Sequence, residues 1–276
     1  MKKKMTIIIG IGLFLIWMLW GNLSIAETHF TISDEKVPKS FDGFKITHLS
    51  DIHDRDLRQA LSKPLEDENP DIIVITGDLI DSSDPDIEQA IELVEHLQTI
   101  APVYFVTGNH EAWSGKYNLL EEQLLEVVVH ILDNSVIELE RDNEKIVLSG
   151  VQDPSFVAES HLLYEQEAII ETTIQTLSDD SDTYHILLSH RPELFDAYVR
   201  NNIDLVLSGH AHGGQFRLPF IGGLIAPNQG FLPEYTAGVY EEDNTRMVVN
   251  KGLGNSIIPI RFNNRAEMIF IELQSD

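Results

Sequence analysis

Cysteine is absent from the 276 residues of this chain, and basic residues are scarce. Without thiols the chain cannot form disulfides, thiolate zinc sites, iron–sulfur clusters or a cysteine nucleophile, so any metal must be held by His, Asp, Asn or Glu. The 19 Lys and Arg residues are outnumbered by 45 Asp and Glu residues, which gives a formal net charge of −26. This acidity argues against a nucleic acid partner, because binding a phosphate backbone requires a basic surface.

Internal repeats and low-complexity linkers are also absent after residue 27. Hydrophobic residues make up 43% of the chain and charged residues 23%, which excludes a disordered or fibrous protein. A chain of this length can build one large domain or two modest ones. Because no linker divides it, we expect one domain over residues 27–276.

The longest apolar run extends from Met5 to Ala26, directly after the lysines at positions 2–4. As a helix it would span about 33 Å, which matches a hydrocarbon core of about 30 Å. The lysines predict a cytoplasmic N-terminus and a domain outside the cytoplasm. We therefore expect residues 1–26 to be a single-pass membrane anchor. The alternative is a signal sequence that is cleaved after Ala26, which would release a secreted domain.

Short runs rich in Ile, Val and Leu recur after the anchor and predict buried strands. Helices are predicted over residues 84–99, with Asp84 as N-cap and Pro85 at the first helical position, and over residues 117–130 and 160–178. The alternation favours a mixed α/β architecture with a largely parallel sheet, and leaves two stacked sheets as an option. The predicted strands cover residues 44–50, 71–77, 102–108, 145–150, 184–190, 203–209, 245–250 and 267–273.

Side chains that can bind metal ions occur at the ends of five of these predicted strands or directly after them. Ligand sites in open α/β sheets lie beyond the carboxyl ends of strands, so we expect these residues to meet at one edge of the sheet. One Asp or Asn after a strand is usually a turn residue, and a lone His is usually a packed side chain, but the joint pattern points to a site. The candidates are Asp51, His53, Asp78, Asn109, His190, His210 and His212.

Seven ligands are too many for one ion that keeps a position open for water, so the sequence predicts two ions about 3.5 to 4 Å apart. Such a pair needs a bridging carboxylate, and Asp78 is central in the order and could supply it. The mixture of imidazole and carboxylate favours Mn, Zn or Fe over Mg or Ca. The expected cofactor is therefore two divalent metal ions per chain.

In chain order these residues resemble the five motifs of calcineurin-like metallophosphoesterases. The motifs are D-x-H from Asp51, G-D-x-x-D from Gly77, G-N-H-E from Gly108, the lone His190, and G-H-x-H from Gly209. The following sequence, which includes EYTAGVY, KGLGNS and IPIRF, is similar to the membrane-associated YkuE/YaeI-like branch. The resemblance implies a four-layer α/β/β/α sandwich, preceded here by one N-terminal transmembrane helix.

The resemblance also implies roles for individual residues. His110 would be a catalytic residue that faces the phosphate, with Asp81 as its hydrogen-bond partner to fix the ring tautomer. A hydroxide bridging the metals would attack phosphorus. One metal would bind Asp51, His53 and His212, and the second Asn109, His190 and His210, with Asp78 bridging.

The expected function is hydrolysis of phosphoester bonds, in the first place phosphodiesters, in lipid-linked or cell-wall-derived substrates of the envelope. One alternative is a pyrophosphatase acting on a nucleotide-linked lipid; the external topology argues against it, because nucleotide-activated precursors are cytoplasmic. The other is a non-catalytic membrane scaffold with a structural metal centre, which would not require His110 or Asp81.

Residues 213–240 directly follow the last ligands and combine many glycines with large apolar side chains. Long loops of this kind are usually functional or disordered, and the apolar content argues against disorder. Two alternatives stay open: the apolar residues pack on the core, or they form an exposed rim that faces the bilayer beside the metals. The residues concerned are Phe216, Phe220, Ile221, Leu224, Ile225 and Phe231.

Overall fold

Two stacked β-sheets with helices on their outer faces make up most of the computed structural model, which describes residues 2–160, 162–177, 182–255 and 258–276. The helices are α1 (Lys2–Leu23), α2 (Arg58–Glu68), α3 (Ile87–Gln98), α4 (Asn109–Ser114), α5 (Tyr117–Glu126), α6 (Leu163–Leu177) and α7 (Phe195–Arg200). The strands are β1 (Ile25–Asp34), β2 (Lys45–Leu49), β3 (Ile72–Thr76), β4 (Val103–Val106), β5 (His130–Ile131), β6 (Ser135–Arg141), β7 (Glu144–Gly150), β8 (His185–Leu188), β9 (Leu205–Ser208), β10 (Arg217–Leu218), β11 (Gly222–Gly223), β12 (Ile225–Ala226), β13 (Gly230–Phe231), β14 (Gly238–Glu242), β15 (Thr245–Val249) and β16 (Ala266–Ser275).

The first sheet has the order β1, β16, β2, β3, β4, β5, and the second β14, β15, β9, β8, β7, β6. Strands β2 to β5 run parallel to one another, as do β15, β9, β8 and β7. Strand β16 returns antiparallel to β2 and is parallel to β1. The chain therefore has two sheets, which was one of the options that the sequence left open.

Side chains of the central strands alternate between two hydrophobic layers. In β3, Ile73 packs in the cluster that contains α2, α3 and α5, whereas Val74 packs in the cluster between the two sheets. In β8, Leu188 faces the first sheet and Leu187 packs with α6 and α7. Strands buried on both faces read as continuous apolar runs, which is why they were predictable. The four-layer α/β/β/α architecture is confirmed.

The predicted helix bounds differ from the structure at three places. The helix predicted from Asp84 begins at Ile87, and Asp86 caps it by accepting a hydrogen bond from the Gln89 amide at 3.1 Å, so Pro85 precedes the helix. The helix predicted over residues 117–130 ends at Glu126, because the chain turns there to form β5. Helix α6 lies inside the predicted range 160–178, of which residues 161 and 178 lie outside the described part. Strand β1 was not predicted.

Helix α1 is the apolar N-terminal helix expected from the sequence. Within the part of the chain that is described, it is the one helix long and apolar enough to cross a membrane, and its most apolar window is not buried in the protein. Its far end contacts the domain: the Trp17 ring packs edge-on against Phe262 at 5.3 Å between centroids, and the Arg265 guanidinium lies 4.4 Å from the centre of the Trp20 ring. Strand β1 begins at Ile25, two residues before the expected domain start.

Candidate metal centre

The predicted ligands lie at or just beyond the carboxyl ends of five parallel strands, most of them on loops and Asn109 as the first residue of α4. Strands β2, β3 and β4 end at Leu49, Thr76 and Val106 in the first sheet, and β8 and β9 end at Leu188 and Ser208 in the second. Stacking of the two sheets brings these ends together. The ligands therefore come from two sheets and not from the edge of one, as the sequence had suggested, since strand runs do not reveal which sheet each strand joins.

The first group of ligands converges from β2, β3 and β9. His212 Nε2 lies 3.3 Å from Asp51 Oδ1 and 3.3 Å from His53 Nε2, and His53 Nε2 lies 3.8 Å from Asp78 Oδ2. All four residues are buried, and one donor atom from each lies within 4.8 Å of the others. This spacing fits a single ion.

The second group is centred on His190. Its Nε2 lies 3.2 Å from Asp78 Oδ2, 3.2 Å from Asn109 Oδ1 and 3.1 Å from His210 Nδ1. Asp78 Oδ2 is thus close to donor atoms of both groups, which is the position that a bridging carboxylate requires. The donors are imidazole, carboxylate and amide oxygen, a set that fits two divalent transition-metal ions.

Burial and neighbouring charges set the protonation of the imidazoles. Burial lowers the pKa of His53 to about 4 and, together with nearby groups that include Arg191 and Arg261, lowers the pKa values of His210 and His212 well below their ordinary range. These rings are therefore neutral, the form that binds metal. Burial would also lower the pKa of His190, but Asp78 outweighs it and raises that pKa to about 10. A bound cation would replace this proton as the positive charge beside Asp78.

Five of the seven candidates adopt left-handed backbone conformations. Their φ angles are 50° at Asp51, 48° at His53, 52° at Asp78, 64° at His210 and 46° at His212. Such conformations cost roughly 1–3 kcal/mol each in non-glycine residues and cluster at functional sites. The strained loops turn the side chains back over the strand ends, towards one another.

Two motif glycines leave room for the ligand carboxylates. A Cβ on Gly209 would lie 1.8 Å from Ser50 Oγ and 2.5 Å from Asp51 Oδ2, and a Cβ on Gly108 would lie 2.3 Å from Asp78 Oδ1. Any side chain at either position would displace a ligand. The close approach gives a physical reason for glycine at the start of G-H-x-H and G-N-H-E.

His110 borders the two groups, with Nε2 4.0 Å from Asp78 Oδ2. Its Nδ1 accepts a hydrogen bond from the Ser82 amide at 3.0 Å, so the neutral ring carries its proton on Nε2, towards the centre. The hydrogen bond expected from Asp81 to His110 is wrong: Asp81 Oδ2 is 3.6 Å from Nδ1, and Asp81 Oδ1 accepts from the Ser83 amide instead. A main-chain amide fixes the tautomer that the carboxylate was expected to fix.

Glu111 supports the ligand loops and was not singled out from the sequence. Its buried carboxylate accepts hydrogen bonds from the amides of Asp78 at 2.9 Å, Ile80 at 3.1 Å and Gly108 at 2.7 Å. It therefore ties the loop after β3 to the loop after β4. The sequence feature that could have identified Glu111 is its position in the G-N-H-E motif, two residues after the candidate ligand Asn109.

A buried ion pair supports His210. Arg191 donates to both carboxylate oxygens of Asp153, at 2.6 and 2.8 Å, and its Nη1 lies 3.2 Å from His210 Nε2. Glu193 Oε1 lies 3.6 Å from the same His210 nitrogen and accepts a hydrogen bond from Asn228 at 2.9 Å. Asp153 follows the carboxyl end of β7. A search for polar residues beyond the ends of predicted strands would therefore have found it if it had included this strand.

Residues 44–214 match the protein family described as calcineurin-like phosphoesterase. The chain belongs to this family. A metallophosphoesterase of this kind is a metal-dependent hydrolase, and the clustered His and Asp side chains agree with the dinuclear metal dependence of the family. The resemblance drawn from the five motifs is confirmed.

Several relatives align with nearly the whole metallophosphoesterase chain. The uncharacterized metallophosphoesterase YkuE of Bacillus subtilis (strain 168) is 31% identical over 261 residues, which cover 91% of this chain and 86% of that protein. An uncharacterized metallophosphoesterase of Aquifex aeolicus (strain VF5) is 28% identical over 274 residues, which cover 94% and 98%. A Danio rerio protein named transmembrane protein with metallophosphoesterase domain is 31% identical over 254 residues, which cover 87% of this chain and 55% of that protein.

The fold of the metallophosphoesterase is also found among solved structures. The crystal structure of TT1561 of Thermus thermophilus superimposes with a TM-score of 0.53 at 15% identity, covering 76% of this chain and 90% of that one. At this identity the similarity concerns the fold. One apolar N-terminal helix, together with a relative named as a transmembrane protein, suggests membrane association.

Proposed function

We propose that this metallophosphoesterase is anchored by residues 1–26 and that its catalytic domain, residues 27–276, hydrolyses phosphodiesters of lipid-linked or envelope substrates outside the cytoplasm. The observation that supports it most is the convergence of six donor side chains around the carboxylate of Asp78, beside His110. Two bound divalent cations, Mn, Zn or Fe, would polarise phosphoryl oxygens and lower the pKa of a water to near neutrality. One cation would be held by Asp51, His53, Asp78 and His212, and the other by Asp78, Asn109, His190 and His210.

His110 acts in this proposal as a hydrogen-bond donor to the phosphate. Because the Ser82 amide occupies Nδ1, the ring has a single proton, on Nε2, and loss of that proton would leave an anionic imidazolate. Donation without transfer, to the charge that develops on the phosphoryl or leaving oxygen, is therefore favoured over protonation of the leaving group. One such donor in a buried site is worth about 10²–10³ in rate.

The apolar residues after His212 support a lipid-linked substrate. Residues 217–231 form two short hairpins, in which Phe220 is fully exposed and Ile221, Ile225 and Phe231 are also exposed. We call these four residues the apolar rim. An apolar groove of about 290 Å³ beside the rim has His212, Ile225 and Ile258 among its lining residues. An acyl or isoprenoid chain could lie there with its phosphoester over the metals.

The position of α1 supports a rim that faces the bilayer. Phe216, at the start of the first hairpin, forms a β-bridge with Phe262, and Phe262 packs against Trp17 of α1. The hairpins and the anchor therefore lie on the same side of the domain. The lysines before α1 support a cytoplasmic N-terminus, which would place the domain outside.

Metal analysis of the purified full-length chain and a substrate screen with added Mn, Zn or Fe test the proposal. We expect two metal equivalents per chain, turnover of a small aryl phosphodiester, and turnover of a lipid phosphodiester in vesicles. Full metal occupancy without turnover of any mono- or diester would favour the scaffold alternative. Selective cleavage of a nucleotide-linked lipid pyrophosphate would favour the pyrophosphatase.

A further inference from the structure

A second pocket lies where α1 meets the catalytic domain, and basic side chains surround it. Its volume is about 240 Å³, slightly below the range of about 300–1,000 Å³ typical of small-molecule sites. Three of the 19 basic residues precede the apolar run, so four of the remaining sixteen gather at this pocket in a strongly acidic chain. The lining includes Trp17, Trp20, Arg217, Lys251, Arg261 and Arg265, which we call the junction pocket.

Three of the four cations of the junction pocket have no acidic ion-pair partner among the described residues. Lys251 Nζ pairs with Glu267 Oε1 at 2.6 Å. Arg217 donates instead to a backbone carbonyl and a threonine hydroxyl, and Arg265 donates to the hydroxyl of Ser24 at 2.8 Å. Positive charge therefore remains in the pocket for an anion from outside.

Arg261 is the most deeply placed of these cations, with 2% of its surface exposed. Its two terminal nitrogens donate to the carbonyls of Lys251 and Gly254 at 2.8 and 2.6 Å, and its Nε has no hydrogen-bond partner within the described part of the chain. A buried cation without a direct ion-pair partner is costly, so an anion in the pocket would stabilise it.

The junction pocket is fixed to the end of α1 that would leave the membrane. Asn22 Nδ2 donates to the carbonyl of Arg261 at 2.9 Å, and the amide of Arg261 donates to Asn22 Oδ1 at 2.7 Å. Tryptophans such as Trp17 and Trp20 are typical of the membrane interface, where the lipid phosphates lie. The pocket is therefore at headgroup depth if α1 spans the bilayer.

We propose that the junction pocket binds the phosphate headgroup of an anionic phospholipid. Guanidinium groups form paired hydrogen bonds with phosphate oxygens, and basic pockets beside membrane helices hold anionic headgroups. This lipid is not the substrate, because the ring of His212, itself a candidate ligand, lies between the pocket and the position of the cation. Arg261 Nη2 lies 3.5 Å from His212 Nδ1, whereas His212 Nε2 faces Asp51. The bound headgroup holds the domain in one orientation on the membrane.

Calorimetric titration of the full-length chain in neutral detergent tests this site. Short-chain dioctanoyl phosphatidylglycerol should bind with a dissociation constant about tenfold or more below that of dioctanoyl phosphatidylcholine. The double substitution Arg217→Gln/Arg265→Gln should remove this preference, since each lost charge-assisted hydrogen bond costs about tenfold. The matched control Arg200→Gln/Arg246→Gln changes two arginines that pair with surface acids, and should keep the preference. Neither variant changes a candidate metal ligand. Any binding of phosphate by the metals should therefore be the same in all the proteins compared.

Three results would overturn the proposal: equal affinity for the two lipids, a preference that survives in Arg217→Gln/Arg265→Gln, or displacement of phosphatidylglycerol by an equal concentration of inorganic phosphate. The last result would identify a site for free phosphate. If the double variant melts at a lower temperature without lipid, the half-buried Arg217 is changed alone. Arg217→Gln should then weaken phosphatidylglycerol binding, and Arg217→Lys should largely restore it; unchanged binding in Arg217→Gln would equally refute the site.

Discussion

At the level of single residues, Asp78 connects the two groups of candidate ligands. Its Oδ2 is the atom near both His53 and His190, while its Oδ1 accepts the amide of His110 at 2.8 Å. Its own amide is held by Glu111. Both oxygens and the backbone of one residue are thus committed to the centre, so a small chemical change here should affect both metals.

Asp78→Asn should remove the shared negative charge and leave the fold intact, because the core consists of apolar strand residues. We expect metal content to fall below two equivalents and turnover of an aryl phosphodiester to fall by more than about 100-fold, the upper range for supporting residues of metal sites. Mass spectrometry of bound metal and circular dichroism measure the two effects. Asp71→Asn, an exposed change just before β3, is the control. Full activity of Asp78→Asn with two metals would refute the bridging role.

His110→Ala should keep both metals, since the ring is outside the two ligand groups, and lower kcat by about 10²–10³. Because the neutral ring donates from Nε2 without a second proton, the loss should be similar for esters with good and with poor leaving groups. A much smaller loss with a nitrophenyl ester would instead assign His110 to protonation of the leaving oxygen. His29→Ala, which changes an imidazole on β1, is the matched control.

Among secondary-structure elements, the hairpins β10–β11 and β12–β13 carry apolar residues of two kinds. Some are half-buried against the domain, and others are exposed to solvent. Leu224 is half-buried, and its amide donates to the carbonyls of Gly214 and Phe216 at 3.0 and 2.9 Å. Phe216 is also half-buried, so these two agree with the packing alternative. The four residues of the apolar rim are exposed, as the second alternative expects.

Phe220→Ser/Phe231→Ser should reduce turnover of a lipid phosphodiester in vesicles by about tenfold or more, because each phenyl group contributes roughly 1.5–3 kcal/mol when it leaves water. Turnover of a small aryl phosphodiester and the melting temperature should stay unchanged. Leu119→Ser/Leu125→Ser, which changes two exposed leucines of α5, is the control for loss of apolar surface elsewhere. Parallel loss of both activities with a lower melting temperature would show that the rim is packed core.

At the scale of the whole molecule, α1 leads directly into β1, which covers the edge of the first sheet. Strand β1 pairs with β16 over ten residues, and its Ile32 is buried between the sheets. Helix α1 is therefore joined to the two-sheet fold by a structural strand. A signal cleavage after Ala26 would remove the first two of these ten pairs.

Two truncations separate the anchor from the fold. A chain that starts at Ile25 keeps β1 and should fold, hydrolyse a small diester and no longer bind vesicles. A chain that starts at Glu35 lacks β1, exposes the edge of β16 and the sites of Phe30 and Ile32, and should melt at a lower temperature or aggregate. Thermal unfolding and vesicle sedimentation measure both. Aggregation of the Ile25 chain would show that α1 is needed for folding.

The types and order of the candidate ligands, and the strands that carry them, could be predicted from the amino-acid sequence alone. Doubly buried strands such as β3 and β8 read as apolar runs, so the polar residues that follow, Asp78 and His190, stand out at their ends. Helix α1 was also predictable from the sequence, because a segment that crosses a hydrocarbon core must be long and uncharged. These features are local in the chain and need no knowledge of contacts.

The sheet that each strand joins and the groups that surround each candidate ligand become visible only in the folded chain. Glu111 reaches back 33 residues to the amide of Asp78, and the junction pocket joins Trp20 to Arg265 across most of the chain. Ser82 replaces Asp81 as the partner of His110 because the loop after β3 turns its amide towards the ring. Such contacts depend on the stacking of two sheets and on backbone angles at single residues, neither of which leaves a periodic signal in the sequence.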